Sequence, residues 1–152
     1  MNRVNIAALV LSAASLTGIA IHEGYRDRAY IPIEGDRPTL GFGDAQGVKI
    51  GDKTDPIRAL IRLNQQAETF QQEMKDCIGD IPLHQYEWDA YVSLTFNIGS
   101  GAFCKSTLVK LLNKSNYTEA CEQILRWDKF NGGAIKGLTI RRQAEYKKCI
   151  GQ

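Results

Sequence analysis

The sequence predicts an α+β fold in which a small β-hairpin lobe and a mostly helical lobe flank a cleft. Residues 6–21 carry no charged side chain and suit a helix, whereas glycines and prolines recur through residues 23–53 and exclude a long helix there. From Pro56 onward, apolar residues recur at helical spacing. We expect a single domain over all 152 residues, divided into an apolar N-terminal helix (1–22), the hairpin lobe (23–53) and the helical lobe (54–152).

Composition and charge narrow the function classes. The chain is 43% apolar and 24% charged, which excludes a disordered protein. Its net charge of +2 gives no reason to expect nucleic acid as a partner. Residues 101–152 nevertheless carry 10 basic and 4 acidic side chains, against 9 and 13 in residues 1–100. This cationic C-terminal third is either a solvated face or a surface attracted to a polyanion, such as an anionic envelope polymer or phospholipid.

A helix is predicted over residues 4–23, after the basic Arg3. The uncharged run at residues 6–21 would span about 24 Å as a helix, short of the roughly 30 Å hydrocarbon thickness of a bilayer. Two interpretations remain open. Residues 4–21 are an uncleaved export segment that enters the inner membrane transiently, or they are the first core helix of the domain.

Short strands are predicted in the hairpin lobe at residues 39–42 and 48–50, where side chains alternate. An amphipathic helix is predicted over residues 56–74, and its apolar residues recur with helical spacing. The apolar residues at this spacing are Ile57, Leu60, Ile61, Leu63, Ala67 and Phe70, and the helix could link the two lobes.

The rest of the chain is predicted to be helical. A helix that buries Trp88 comes first, and short helices near residues 106–113, 117–128 and 138–148 follow, separated by glycines. Trp88 and Trp127 have aliphatic neighbours at helical spacing, so we expect both in the core.

The four cysteines are Cys77, Cys104, Cys121 and Cys149. They form no Cys-x-x-Cys pair and lie far from either histidine in sequence, so no metal site is predicted. An even number fits two disulfides in an oxidising compartment, with four buried thiols as the alternative. Of the three pairings we favour Cys121 with Cys149, because both fall on predicted helices near the C-terminus. That choice leaves Cys77 with Cys104.

Glu23 ends the apolar helix and precedes the glycine-rich hairpin. A carboxyl group there, followed by acidic and hydroxyl side chains, suits the hydrolysis of a glycosidic bond, which needs a protonated acid near neutral pH. Neighbouring apolar surface would raise the pKa of Glu23. The alternative is that Glu23 simply terminates the helix. No cofactor is expected, because no phosphate-binding, dinucleotide-binding or metal-binding motif occurs.

Several motifs resemble those of the tailed-phage lysozymes of glycoside hydrolase family 24. HEGYRDRAY followed by PTLGFGD is similar to the catalytic Glu-Gly segment, Tyr and Thr-x-Gly-x-Gly strand of that family. LTFNIGSGAFCKSTLVKLLN resembles its Asn-x-Gly-x-Gly-x-Phe junction, and RWDKFNGGAIKGLTIRRQAE resembles its C-terminal pattern. The resemblance covers roughly residues 20–150 in order. It implies a lysozyme-like fold and an endolysin that cleaves the β-1,4 bond between N-acetylmuramic acid and N-acetylglucosamine in peptidoglycan.

The resemblance also implies roles for particular residues. Glu23 would be the general acid, and Thr39 would place the attacking water or lie against the reacting face of the sugar. Tyr30 and Asn97 would line the cleft, with Asn97 capping the following loop as the alternative. Arg141 and Arg142 would bind there too, one of them pairing with Glu23, although adjacent arginines on a helix are more often solvated.

The second catalytic carboxylate departs from the family pattern. The usual Asp, two residues after the Tyr, is Pro32 here. The hairpin offers Asp36, Glu34 and Asp44 instead. We favour Asp36, which precedes Thr39 in a predicted tight turn, and take Glu34 as the next choice. A purely turn-forming role for Asp36 is equally open.

These expectations describe a monomeric muramidase of phage or prophage origin that acts on peptidoglycan from the periplasm and is cytoplasmic before export. Two rivals remain. One is a lytic transglycosylase, which cleaves the same bond with Glu23 alone and leaves a 1,6-anhydro product. The other is a non-catalytic cationic protein that binds the wall or disrupts membranes.

Overall fold

The computed structural model describes residues 2–152, and their contacts divide them into two units. One unit, which we call the helical unit, joins the residues up to Ser15 to Thr69–Gln152. The other, the hairpin unit, is Leu16–Glu68. Two helices, α1 (Ala13–Glu23) and α2 (Pro56–Ile78), contribute residues to both. The predicted border between the N-terminal helix and the hairpin lobe lies at the end of α1. The predicted border between the hairpin lobe and the helical lobe lies just before the start of α2.

The helical unit is built from short helices around α3 (Gln85–Ile98). The others are α4 (Ser100–Cys104), α5 (Thr107–Leu112), α6 (Tyr117–Gln123) and α7 (Lys136–Cys149). α3 packs along α7, and α5 packs against α6. The core is formed by large side chains that are fully buried: Trp88, Tyr91, Leu94, Phe103, Leu108, Leu112 and Ile124. The α+β prediction and the helices predicted for this region are confirmed, whereas Trp127 is only half-buried.

Among the described residues, α1 begins only at Ala13, so the predicted helix over residues 4–23 is wrong in its first part, of which only Ile6–Ala8 form a short 3-10 helix. The strand β1 (Val4–Asn5) pairs antiparallel with β4 (Pro82–Leu83) instead. Asn5 then caps a 3-10 turn by accepting a hydrogen bond from the Ala7 N–H at 2.8 Å. Backbone pairing and a capping side chain satisfy polar groups that a longer helix would have to satisfy internally.

Polar side chains of the helical unit hold this segment in place. Arg3 donates to the nearly buried Glu87 at 2.8 Å, and its guanidinium lies 3.7 Å from the centre of the Tyr117 ring. The hydrogen bond to Glu87 raises the pKa of Arg3 above its ordinary value. Ser12 starts α1 by accepting from the Ser15 N–H at 3.2 Å, and Ser12 donates to Asp89 at 2.6 Å. Within residues 2–152, none of the helices has both the length and the apolar character needed to cross a bilayer.

The hairpin unit pairs β2 (Arg26–Tyr30) with β3 (Thr39–Gly41), antiparallel and with a bulge. Gly41 has a positive φ of 63°, and a Cβ at this position would lie 2.9 Å from the Ala59 side chain. Only glycine therefore lets β3 approach α2 this closely. The strand predicted at residues 48–50 does not form. This region instead makes an isolated bridge between Arg28 and Lys53, and a second bridge joins Leu40 to Asp44.

The amphipathic helix predicted from Pro56 is present as α2, which continues to Ile78. Ala59 and Leu63 are buried, as are Ala67, Met74 and Ile78 further along. Ile57, Leu60 and Ile61 are 73%, 44% and 53% exposed. Both stripes recur at helical spacing, and spacing alone does not tell which stripe meets the core.

The hairpin of β5 (Lys129–Phe130) and β6 (Gly133–Ala134) precedes α7 and was not predicted. Asn131, with a φ of 49°, and Gly132 make its two-residue turn. The sequence carries this signal as an Asn-Gly pair between short apolar segments.

Both predicted disulfides are present, Cys77–Cys104 and Cys121–Cys149. Each closes a loop within the helical unit, with sequence separations of 27 and 28 residues. The pairing by helix position was therefore correct.

Candidate active site

Glu23 is the last residue of α1 and is half-buried. Gly24 ends the helix with a φ of 71° and donates its N–H to Ala20 at 3.0 Å. The carboxylate of Glu23 lies against the turn that follows β3, because a Cβ built on Gly43 would lie 3.4 Å from its Oε2. Glycine at position 43 keeps this side of the carboxylate uncrowded.

Thr39 and Tyr30 are directly opposite one another across β2 and β3. Thr39 is nearly buried, and its Oγ1 donates to the Arg37 carbonyl at 3.2 Å. That bond uses the hydroxyl proton, so the oxygen keeps lone pairs with which to accept a hydrogen bond. The Arg26 guanidinium lies 5.1 Å from the centre of the Tyr30 ring. The hairpin thus fixes a hydroxyl and an aromatic ring as neighbours.

Asp36 lies in the loop between these two strands. Its N–H donates to the Ile33 carbonyl at 2.9 Å, which closes a tight turn at residues 33–36, and its side chain is exposed. Both roles predicted for Asp36 are compatible with this position. Glu34 lies in the same turn and is also exposed.

Asp44, the third acidic residue of the hairpin, is engaged in structural bonds. It is 8% exposed and accepts from Arg62 at 2.8 Å and from Gln66 at 3.0 Å. The Gln46 N–H donates to it at 3.0 Å. Sequence reasoning missed this cluster, although Arg62 and Gln66 occur one helical turn apart, the spacing at which two side chains meet one partner.

The C-terminal residues of the predicted site lie in the helical unit. The expectation that Arg141 and Arg142 are solvated is wrong, since they are 7% and 0% exposed. Arg141 donates to Glu145 at 3.1 Å and to the Ser93 carbonyl at 3.0 Å. Arg142 donates to Glu145 and to the Asn97 side chain.

Glu145 and Ser93 complete this network and were not predicted as site residues. Ser93 donates to Glu145 at 2.6 Å, and Arg142 also donates to the Trp127 carbonyl at 2.9 Å. A buried carboxylate between two guanidinium groups is stable only when each polar group has partners, which these bonds supply. The C-terminal motif Arg-Arg-x-x-Glu carries the signal, because it places both arginines within one turn of the Glu.

Comparison with known proteins identifies related chains. A model of the family described as phage lysozyme matches residues 20–145. The SAR-endolysin of Pseudomonas phage phiKMV is 34% identical over 142 residues, which cover 91% of this chain and 87% of that protein. The endolysin of Acyrthosiphon pisum secondary endosymbiont phage 1 is 36% identical over 146 residues, covering 89% and 94%.

A solved structure has the same fold. The endolysin from the Escherichia coli O157:H7 phage FAHEc1 superposes with a TM-score of 0.81 at 31% identity, over 95% of both chains.

Proposed function

Because the chain belongs to the phage lysozyme family, we propose that Glu23 is the general acid of its reaction. The protein is a glycoside hydrolase, an endolysin that hydrolyses the β-1,4 bond between N-acetylmuramic acid and N-acetylglucosamine and so lyses the host cell. The observation that carries the proposal for Glu23 is its position: a half-buried carboxylate at the end of α1, beside the uncrowded Gly43.

The hairpin supplies the other groups of the proposed mechanism. Glu23 gives its proton to the glycosidic oxygen as the bond from that oxygen to the anomeric carbon breaks. A water molecule that donates a hydrogen bond to the Thr39 hydroxyl oxygen forms a bond to the anomeric carbon. A proton of this water molecule passes to the carboxylate of Asp36. Both products then carry hydroxyl groups, and the proton released to Asp36 returns to Glu23 through solvent.

Residues of the helical unit have supporting roles in this proposal. Asn97 is exposed and accepts from Arg142, so its amide N–H groups remain to donate to a sugar. Arg142 is fully buried, and we assign it to positioning Asn97 rather than to touching the glycan. Arg141 and Tyr30 remain candidate substrate-binding residues.

The localisation is periplasmic, by the route that SAR-endolysin relatives imply. We propose in addition that residues 4–21 associate with the inner membrane before they fold as described above. Their lack of charged side chains and the likeness to a SAR-endolysin support this. Protein held in an energised membrane should then be much less lytic than released protein, and equal lytic activity would contradict the proposal. We expect the released enzyme to be a monomer.

Mass spectrometry of the fragments released from purified peptidoglycan tests the catalytic proposal. Wild-type protein should release muropeptides with reducing ends, and Glu23→Gln should release about 10²- to 10⁴-fold fewer. Asp36→Asn should lose a substantial part of the rate, whereas Glu34→Gln, which alters the other candidate carboxylate of the same turn, should lose little. Fragments with 1,6-anhydro ends would instead identify a transglycosylase. Full activity of Asp36→Asn would leave Asp36 a turn residue only.

A further inference from the structure

Phe130, on the β5 strand of the β5–β6 hairpin, is the most exposed aromatic side chain among residues 2–152. Its exposed fraction is 66%, against 37% for Tyr25 and for Tyr86. Those two rings pack within the chain, with centroids 5.5 Å from Phe42 and 4.7 Å from His84 respectively. Phe130 has no ring or cation contact of this kind in the described part of the chain. Only a ligand or partner from outside the chain can take this ring out of water.

Two hydrogen bonds join the base of the β5–β6 hairpin to α7, and a third closes the hairpin. The Ile135 N–H donates to the Asp128 carbonyl at 2.9 Å, which extends the ladder between the strands. The Thr139 hydroxyl donates to the Asp128 carboxylate at 3.1 Å. Arg142, on the same helix, donates to the Trp127 carbonyl at 2.9 Å. The hairpin therefore has a fixed position on α7.

The hydrogen bond of Asp128 also indicates which face of the hairpin carries the Phe130 ring. Side chains alternate along an extended segment, so those of Asp128 and Phe130 lie on the same face. Asp128 meets Thr139, and Arg142 lies three residues further along α7 on the same side of that helix. The face that carries Phe130 is therefore the one turned toward Arg142. Gly133, directly opposite Phe130 on β6, has no side chain to cover the ring.

Arg142 connects this face to Asn97, the proposed donor of hydrogen bonds to the sugar. Its guanidinium donates both to the Asn97 side chain and to the Trp127 carbonyl, so both acceptors lie one hydrogen bond from the same group. Phe130 is three residues from Trp127, which keeps their Cα atoms within about 11 Å of each other. A polar side chain and an exposed apolar ring are thus near neighbours, the combination that small-molecule binding sites use.

We infer that Phe130 is a substrate-binding residue whose ring stacks on a sugar of the glycan strand held by Asn97. A pyranose ring carries hydroxyl groups around its edge and C–H groups on its faces, so an amide can bind the edge while an aromatic ring covers a face. The inference rests on the proposed function, in that it takes the wall glycan as substrate and Asn97 as a binding residue. It does not rest on the catalytic assignments of Glu23 and Asp36.

Steady-state kinetics on soluble glycan strands prepared from peptidoglycan test the inference, with the release of reducing ends as the readout. Phe130→Ala should raise KM about 5- to 10-fold and leave kcat within about 2-fold of wild type, because stacking is equal in the ground and transition states. Phe130→Trp keeps an aromatic ring and should hold KM within about 2-fold of the wild-type value. Thermal melting of both variants should match that of wild type, since the ring is exposed.

The matched control is Ile57→Ala, which truncates an apolar side chain that is 73% exposed on α2. It should change KM less than about 2-fold. The inference is overturned if Phe130→Ala keeps the wild-type KM or loses only kcat, or if Phe130→Trp or the control loses as much. A wild-type dimer that Phe130→Ala dissociates would also overturn it, by assigning the ring to a second copy.

Binding without cleavage separates this inference from the proposed function. Glu23→Gln should sediment with insoluble peptidoglycan, and adding Phe130→Ala should weaken that binding by about the factor seen in KM. Wild type that releases no reducing ends would contradict the proposed function, and the sedimentation comparison would still test Phe130. Equal sedimentation of the two proteins would overturn the role of Phe130, whether or not wild type cleaves the glycan.

Discussion

The interactions that stabilise the helical unit internally differ in kind from those that stabilise the hairpin unit internally. The helical unit contains both disulfides, the fully buried Trp88 and the network around Glu145. The hairpin unit, among the residues that the structure describes, has no disulfide and takes its shape from turns, with glycines at positive φ before and after β3. The proposed acid Glu23 and the proposed water-binding Thr39 both belong to the hairpin unit. The comparison teaches that stability and chemistry are carried by different parts of the chain.

The largest loss of stability is expected in the helical unit, from Glu145→Gln. This change removes the carboxylate that accepts from Arg141, Arg142 and Ser93 and leaves two buried guanidinium groups without its charge. We expect the free energy of unfolding to fall by about 3–5 kcal/mol. Urea denaturation measures it, with the exposed Glu122→Gln as control. A loss below about 1 kcal/mol would show that the network does not brace this unit.

Removal of either disulfide should lower the free energy of unfolding slightly less than Glu145→Gln does. Replacing Cys121 and Cys149 by alanine should lower the free energy of unfolding by about 3.5 kcal/mol, because the closed loop restricts the unfolded chain. The Cys77–Cys104 pair closes a loop of nearly the same size and should cost nearly the same. Denaturation of the two double variants in parallel compares them. A loss confined to one pair would mean that strain or residual structure, rather than loop closure, sets the effect.

A smaller change is expected from Asp44→Asn in the hairpin unit. One carboxylate oxygen is replaced by an amide NH2 group, which cannot accept a hydrogen bond from Arg62 or Gln66. This loss should lower the free energy of unfolding by about 1–2 kcal/mol. Asp27→Asn, an exposed change in the same unit, should cost almost nothing. Thermal melting checks both. Equal effects would indicate that the cluster around Asp44 adds no stability beyond that of an exposed carboxylate.

The smallest effect concerns alkaline pH. Burial raises the pKa of Tyr91, whose ordinary value is about 10. The phenol keeps its proton in the folded state while the unfolded chain loses it, so the stability it contributes is present below pH 10 and declines as the pH rises further. Tyr91→Phe should therefore flatten the fall in the free energy of unfolding between about pH 10 and pH 11. An unchanged slope would contradict the assignment, and the exposed Tyr86→Phe is the control.

Patterns local in sequence predicted much of this fold. The spacing from Pro56 onward predicted α2, and helix position predicted both disulfide pairs. The prediction of a helix at the N-terminus was wrong in its first part, because Val4 and Asn5 pair with a strand almost 80 residues away. No local pattern reports such a pairing. The same limit applies to Ile57, Leu60 and Ile61, whose spacing is helical but whose burial depends on what packs nearby.

Some residues of the candidate site were likewise predicted from local motifs, whereas the surroundings of others depend on residues distant in sequence. Glu23 and Thr39 were chosen from motifs, and the hairpin brings Thr39 opposite Tyr30 as a strand register would. Arg141 and Arg142 were predicted to bind substrate, with a solvated face as the alternative, yet Glu145 and Ser93 provide them with buried partners from two helices. Asp36 remains a proposal, since the position that carries the family's usual Asp is Pro32.

Glu23 is proposed to act in the chemistry of hydrolysis, whereas Glu145 is proposed to stabilise the helical unit. Measuring wall hydrolysis and the free energy of unfolding on the same preparations of Glu23→Gln and Glu145→Gln tests these two roles most directly. We predict that Glu23→Gln loses about 10²- to 10⁴-fold in rate while its unfolding changes by less than about 1 kcal/mol. Glu145→Gln should show its main loss in stability. Hydrolysis by Glu23→Gln within tenfold of wild type would contradict the account.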